Sequence, residues 1–232
     1  MMSVGETDGV ALESAQRLAA EIQERLREDI IFGRLRPDEP VRLIQTAERF
    51  GVSTTPVREA MAALERQGLL SSQPNRGFTV NNFDAHDVED LFAVHAFIIG
   101  RCAAAAVPLM SNADLDEMVE LDQQMTRAVE EGRTEEAIEL NDEIHRRIRT
   151  RGNSIVMGRL LSETAPFVRK LSDRDAETGH YLRTVPHVHI LDAMRARDAD
   201  KVAELMTEHV MAAGIAAVQH FIEHDRVSVD GR

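Results

Sequence analysis

The chain of 232 residues has no Trp, one Tyr and one Cys. The lone Cys102 excludes an internal disulfide, so a stapled secreted scaffold does not fit and the expected compartment is reducing, the cytoplasm. Positive charge is scarce: 27 Lys and Arg face 40 Asp and Glu, for a formal net charge of −13. That balance excludes an evenly basic nucleic-acid binder, because duplex DNA draws protein through cations on its phosphates. Unbroken apolar runs long enough to cross a bilayer are missing too. LFAVHAFIIG and CAAAAVPLM are broken by His95, Gly100, Arg101 and Pro108, and the opening MMSVGETDGV has neither the basic nor the apolar part of a leader, so no membrane is expected.

What the chain does hold is Ala, Leu, Glu, Arg and Met, with 43% hydrophobic and 29% charged residues, a mixture that favours helix. Its length allows two small domains, each with its own core. The charge is unevenly spread. Ten Arg face nine acids between Ser14 and Val80, so nearly all the negative charge lies in the remainder of the chain. A near-neutral, Arg-bearing module followed by an acidic body fits a DNA-binding head with an effector domain behind it, although solubility charge alone gives the same distribution.

Residues 1–13 are polar and without periodicity and read as a disordered tail. A first helix is expected from Ser14 to Phe32, with Leu18, Ile22, Leu26 and Ile30 on one face and Gly33 as its stop. GRLRPDEPVR is a connector, and a short helix from Leu43 to Phe50 ends at Gly51. The next helix starts near Thr55 or Pro56, carries Val57, Ala60, Met61 and Leu64, and ends at Gly68. Two short strands, Leu69–Ser72 and Phe78–Asn81, flank the turn QPNRG. The order is that of a winged helix-turn-helix over 14–80. Beyond it only helices are expected, over 84–109, 112–131, 134–151, 154–170, 185–197 and 199–223. Asn112, Thr134 and Asn153 or Ser154 sit at cap positions, and Gly132 and Gly152 just past helix ends. The fold class is therefore mainly α: a winged helix-turn-helix, then an all-helical bundle of about six helices over 84–224, then a tail over 225–232.

In a helix-turn-helix the second helix enters the major groove with its first residues at the base edges. Here those residues are Ser53, Thr54, Thr55 and Arg58, where hydroxyls and a guanidinium meet phosphates or guanine edges. Three and four residues beyond Arg58 stand Met61 and Ala62, so a paired surface arginine is a poor description of it. Arg76 and Gly77 place a cation and a flexible residue at the hairpin tip. The stretch IIFGRLRPDEPVRLIQTAERFGVSTTPVREAMAALERQGLLSSQPNRGFTV resembles the winged helix of GntR-type regulators, with VS..PVREA, a following Leu, GL and the RG tip in register. Two positions depart from that pattern: Asp38 stands where a Gly is usual and Thr54 where an Arg that touches DNA is usual. A double-stranded, palindromic operator bound by a homodimer is expected, since a single short recognition helix buries little DNA and two-fold pairing doubles its contacts.

In the second half, four polar residues share phase with apolar stripes. Asn141 and His145 lie among Ala137, Ile138, Ile144 and Ile148; His187 goes with Ile190, Leu191 and Met194; His209 goes with Val202, Leu205, Met206 and Ala213. Burying such groups without partners costs about 1–3 kcal/mol each. Spacing alone leaves two solutions, a divalent metal or a hydrogen-bonded polar core. NDEIHRRIRTRGN and HVHILDAMRARDADKVAELMTEH resemble segments of the effector domain called FCD, which accompanies many GntR winged helices. The resemblance implies a metal site of Asn141, His145, His187 and His209, Asn141 being the less usual choice where Asp also occurs. Zinc comes first for such ligands, with nickel, manganese or iron as alternatives. It also implies a small organic acid as effector; the Arg that some members use on the first effector helix is replaced in position by His95. His189 is out of phase, and His220 and His224 lie near the chain end, so all three read as surface. A helical metalloenzyme is the competing class, disfavoured because no Ser or Cys nucleophile, general base or phosphate loop accompanies the His set. A regulator with a purely structural metal is the third reading.

Overall fold

The computed structural model of the chain describes residues 4–73, 77–176 and 187–230. Helix α1 (Val4–Ile31) is followed by β1 (Pro40–Val41), α2 (Leu43–Phe50), α3 (Thr54–Arg66), β2 (Leu70–Gln73) and β3 (Gly77–Val80). The α1 stripe buries Ile22, Leu26 and Ile30, and α1 packs on α3 through Val57, Ala60, Met61 and Leu64, all of them buried. Gly51 ends α2 in the left-handed conformation at φ 66°, as its place after a short helix demands. The strands form one antiparallel sheet in the order β1-β3-β2, with Leu70 opposite Val80 and Gln73 opposite Gly77. This is a winged helix-turn-helix.

The second unit runs from Ala85 to Glu223. Its elements are α4 (Ala85–Ala106), a 3₁₀ turn (Val107–Leu109), α5 (Asn112–Glu130), α6 (Thr134–Gly152), α7 (Ile155–Ala176), α8 (Val188–Arg195) and, as far as Glu223, α9 (Ala199–Asp230). Helix α4 is the centre of this bundle: it packs on α6 and α7, and its Phe92 and Gly100 meet Gly214 and Thr207 of α9. Helix α5 packs on α6 and α8. By length and hydropathy the segment Ala85–Leu109 could cross a membrane, yet 56% of its most apolar window is buried inside the protein, as in a core helix.

Several expectations about ends and caps need correction. Residues 4–13 are not a tail but the start of α1, and α9 continues to Asp230 through the stretch read as a C-terminal tail. Extending an existing helix adds a hydrogen bond per residue without a new nucleus, so a polar stretch that lacks periodicity need not stop it. Helix α7 likewise runs past residue 170 to Ala176 and through Pro166, whose missing N–H leaves Ser162 without its helical donor. The cap of α5 is Ser111, one residue before the expected Asn112, in a capping box with Asp114; α6 begins behind Arg133 rather than being capped by Thr134. Ser154 does receive the amide of Met157 at 3.2 Å. Gly132 is left-handed at φ 72° and ends α5 as expected, but Gly152 is the last residue of α6 and packs against the Cys102 carbonyl of α4. The connector before α2 contains β1, unrecognised because its partner β3 is distant in sequence, with Val41 opposite Phe78. Residues 185 and 186 of the expected 185–197 helix lie outside the described residues.

Candidate metal centre and nucleic-acid interface

The recognition helix is α3. Ser53 is its N-cap, with extended backbone and no side-chain cap bond, so the amides of the first turn stay open to an outside acceptor. Ser53, Thr55 and Arg58 are exposed and Thr54 is half-buried, while Val57 and Met61 on the opposite face are fully buried. Among the described residues Arg58 has neither an ion pair nor a hydrogen bond. Gly77, at the start of β3, holds φ 86° with the Val41 carbonyl 3.4 Å from where a Cβ would stand. Arg76 lies outside the described residues.

In the helical unit three imidazoles meet. His145 comes from α6, His187 from the N-cap of α8 and His209 from α9; the last two are buried and His145 is partly so. Nε2 of His145 lies 3.0 Å from Nε2 of His209 and 3.3 Å from Nε2 of His187. Their ligand atoms all fall within 4.8 Å of one another. Zinc–nitrogen bonds of about 2.0–2.1 Å in tetrahedral geometry put neighbouring ligand atoms about 3.3 Å apart, so the spacing suits a cation. Nitrogen lone pairs at this range repel unless a proton or a cation lies between them. Burial first, then the neighbouring His209, His187 and His95 and the cation of Arg149, holds His145 well below the usual histidine range, which disfavours the proton.

One partner fixes a tautomer. Asp122 of α5, 9% exposed, lies with Oδ1 2.9 Å from Nδ1 of His187, which is itself 1% exposed. A carboxylate accepts, so Nδ1 carries the proton and the lone pair of Nε2 faces the other two rings. Asp122 was not among the sequence candidates. Its signal was an acid in phase with Leu115, Met118, Met125 and Ala128 on the buried stripe of α5. Asn141 is buried one turn before His145 on α6. His95 is buried on α4 with Nδ1 2.8 Å from the Thr164 hydroxyl of α7, and burial, with Arg149 second, lowers its pKa to about 4. Arg149, one turn beyond His145, acts electrostatically on His95, Cys102 and His145 and has no hydrogen bond or ion pair among the described residues. His189 is exposed, and the side chains of His220 and His224 lie outside the described residues.

Comparison with known proteins agrees with this division. Residues 18–80 match the model of the bacterial regulatory proteins of the gntR family, and residues 90–212 that of the FCD domain. The HTH-type transcriptional repressor RspR of Escherichia coli is 26% identical over 86% of this chain and 88% of its own length. The HTH-type transcriptional regulator YdhC of Bacillus subtilis is 30% identical over 60% of this chain, a match spanning 62% of that relative. Among solved structures, McbR/YncC of E. coli shares the fold with a TM-score of 0.59 at 24% identity, covering 88% of this chain and 97% of the other. With a winged helix in front and an FCD bundle behind, the chain belongs to the gntR family of bacterial regulatory proteins and is a DNA-binding transcription regulator of that type.

Proposed function

We infer that the chain binds a palindromic duplex operator as a homodimer and that a small organic acid, held at a divalent metal site in the bundle, sets its operator affinity. The observation that carries this reading is the convergence of three Nε2 atoms from α6, α8 and α9. His145, His187 and His209 would hold the ion, and the Asn141 amide oxygen is the fourth protein donor, with zinc the first choice. Bound there, the ion supplies Lewis-acid positions for a carboxylate. The chain itself supplies a second anchor. Arg149 has no acidic partner among the described residues, and a guanidinium takes a carboxylate in two parallel hydrogen bonds. His95 and Thr164 border the same region and offer further polar contacts.

On the DNA side, Ser53, Thr54, Thr55 and the open helix start grip phosphates and Arg58 reads a base edge, with Gly77 of the wing and its sequence neighbour Arg76 as further contacts. Val94 and Phe97, 53% and 65% exposed on α4, supply apolar surface of the kind a second copy covers. The test starts from an operator selected out of a random duplex pool by the zinc-loaded protein. A panel of mono- and dicarboxylates is then titrated against the complex. At least one acid is expected to shift operator affinity severalfold, and R149A should abolish that shift while binding the operator normally. A panel without effect on the metal-loaded protein would contradict the carboxylate reading.

A further inference from the structure

Asp122 is a costly residue to bury in the bundle. It stands in a stripe of Leu115, Met118, Met125 and Ala128, 9% exposed, and its bond to Nδ1 of His187 spans 2.9 Å between α5 and the start of α8. Burying a carboxylate costs several kcal/mol, and one hydrogen bond from a neutral imidazole offsets only part of that. The balance changes when a cation sits on the far side of the ring. A metal at Nε2 withdraws electron density from the imidazole, makes Nδ1–H a stronger donor and puts a compensating positive charge near the carboxylate.

A second observation concerns charge. The three clustered imidazoles carry no negative charge when they are neutral ligands, and neither does the Asn141 amide that the proposed site adds to them, so a divalent ion there would be uncompensated. We propose that Asp122 is the positioning and charge-balancing residue of this metal centre: it holds His187 with Nε2 aimed at the ion and supplies from behind the ring the negative charge that Asn141 does not. This rests on reading the trio as a metal site. The carboxylate then leaves the ion's own coordination positions to be shared between the imidazoles, the amide and an incoming anion. A carboxylate ligated directly would occupy one of them.

The test compares wild type, D122N and D122A after stripping with chelator, reading Zn²⁺ affinity by competition with a chromophoric chelator and Co²⁺ geometry by visible absorption. D122N keeps the size and an acceptor but loses the charge; D122A loses both. Affinity is expected to fall about tenfold in D122N and towards a hundredfold in D122A, with helix content and operator binding of the stripped forms unchanged. The Co²⁺ bands should shift most in D122A, where nothing holds the ring of His187. N141D in the D122N background should recover most of the lost affinity. If wild type binds zinc and both Asp122 variants bind it as tightly with the same Co²⁺ spectrum, the proposal is overturned. A double variant no tighter than D122N overturns the charge-balancing half. Wild type that takes up no metal overturns the metal reading of the trio, and Asp122 with it. Should D122A fail to fold, the isosteric D122N still decides.

Discussion

Arg58 leans out of α3 with Met61 and Ala62 where an intrahelical acid would stand, and it is exposed and unpaired among the described residues. A cation left in that state at the start of a recognition helix has an outside acceptor as its natural partner. R58A is therefore expected to weaken binding to the selected operator by about 1–3 kcal/mol, measured by fluorescence anisotropy at fixed salt; unchanged affinity would remove Arg58 from the interface. His95 gives a second residue-scale prediction. The fold holds it neutral down to a pKa of about 4, whereas the unfolded chain takes up its proton near 6.5. The unfolded state thus binds more protons between those values, and stability that is complete above pH 6.5 is lost as pH falls towards 4. The loss is about 3 kcal/mol for this group. Urea unfolding of chelator-stripped protein at pH 7 and pH 4.5 should show it, and H95Q should lose visibly less. Equal losses in the two proteins would refute the assignment.

The three histidines were legible because an imidazole at core phase is conspicuous, and all three lie in one cluster. Asp122 and Arg149 were not read, since a stripe searched for apolar residues and histidines passes over an acid inside it and a base beside it. Asp38 shows how a departure from a family pattern can leave the backbone alone: it adopts φ 64°, the left-handed conformation of the glycine usual there, which Asp tolerates better than most residues.

At the scale of elements, periodicity located the helices because each buries a stripe, but it could not find their ends. A helix end is decided by the neighbours that the last turn packs against: Gly132 stops α5 in a left-handed turn, whereas Gly152 stays helical because the α4 backbone lies against it. A Cβ on Gly152 would overlap the Cys102 carbonyl and stand 2.8 Å from the Ala106 amide nitrogen. G152A must push α6 from α4, at an expected cost of about 1–3 kcal/mol, seen as a lower urea midpoint; a change under about 0.5 kcal/mol would mean the two helices slide apart freely. The turn between α8 and α9 was legible only as a gap. Its residue Arg197 takes φ 61° and donates to the carbonyls of Val107 and Met110, both at 2.6 Å, and to Asn112 at 3.1 Å. That clasp joins the α8–α9 turn to the α4–α5 connection, positions 85 to 90 residues apart, and no local pattern announces it.

For the whole molecule, the acidic total concealed a near-neutral head and an acidic body, and the division into a winged helix and an FCD bundle follows the same boundary. On the metal reading, the functional link between these halves is the ion that His145, His187 and His209 are spaced to hold. The most direct test is elemental analysis by plasma mass spectrometry of the purified, untagged protein, wild type beside the H145A/H209A double variant. About one divalent metal per chain in wild type, lost in a double variant that still folds and binds its operator, is the expected result. A folded, operator-binding wild type that carries no metal and takes up none from added zinc would contradict the account.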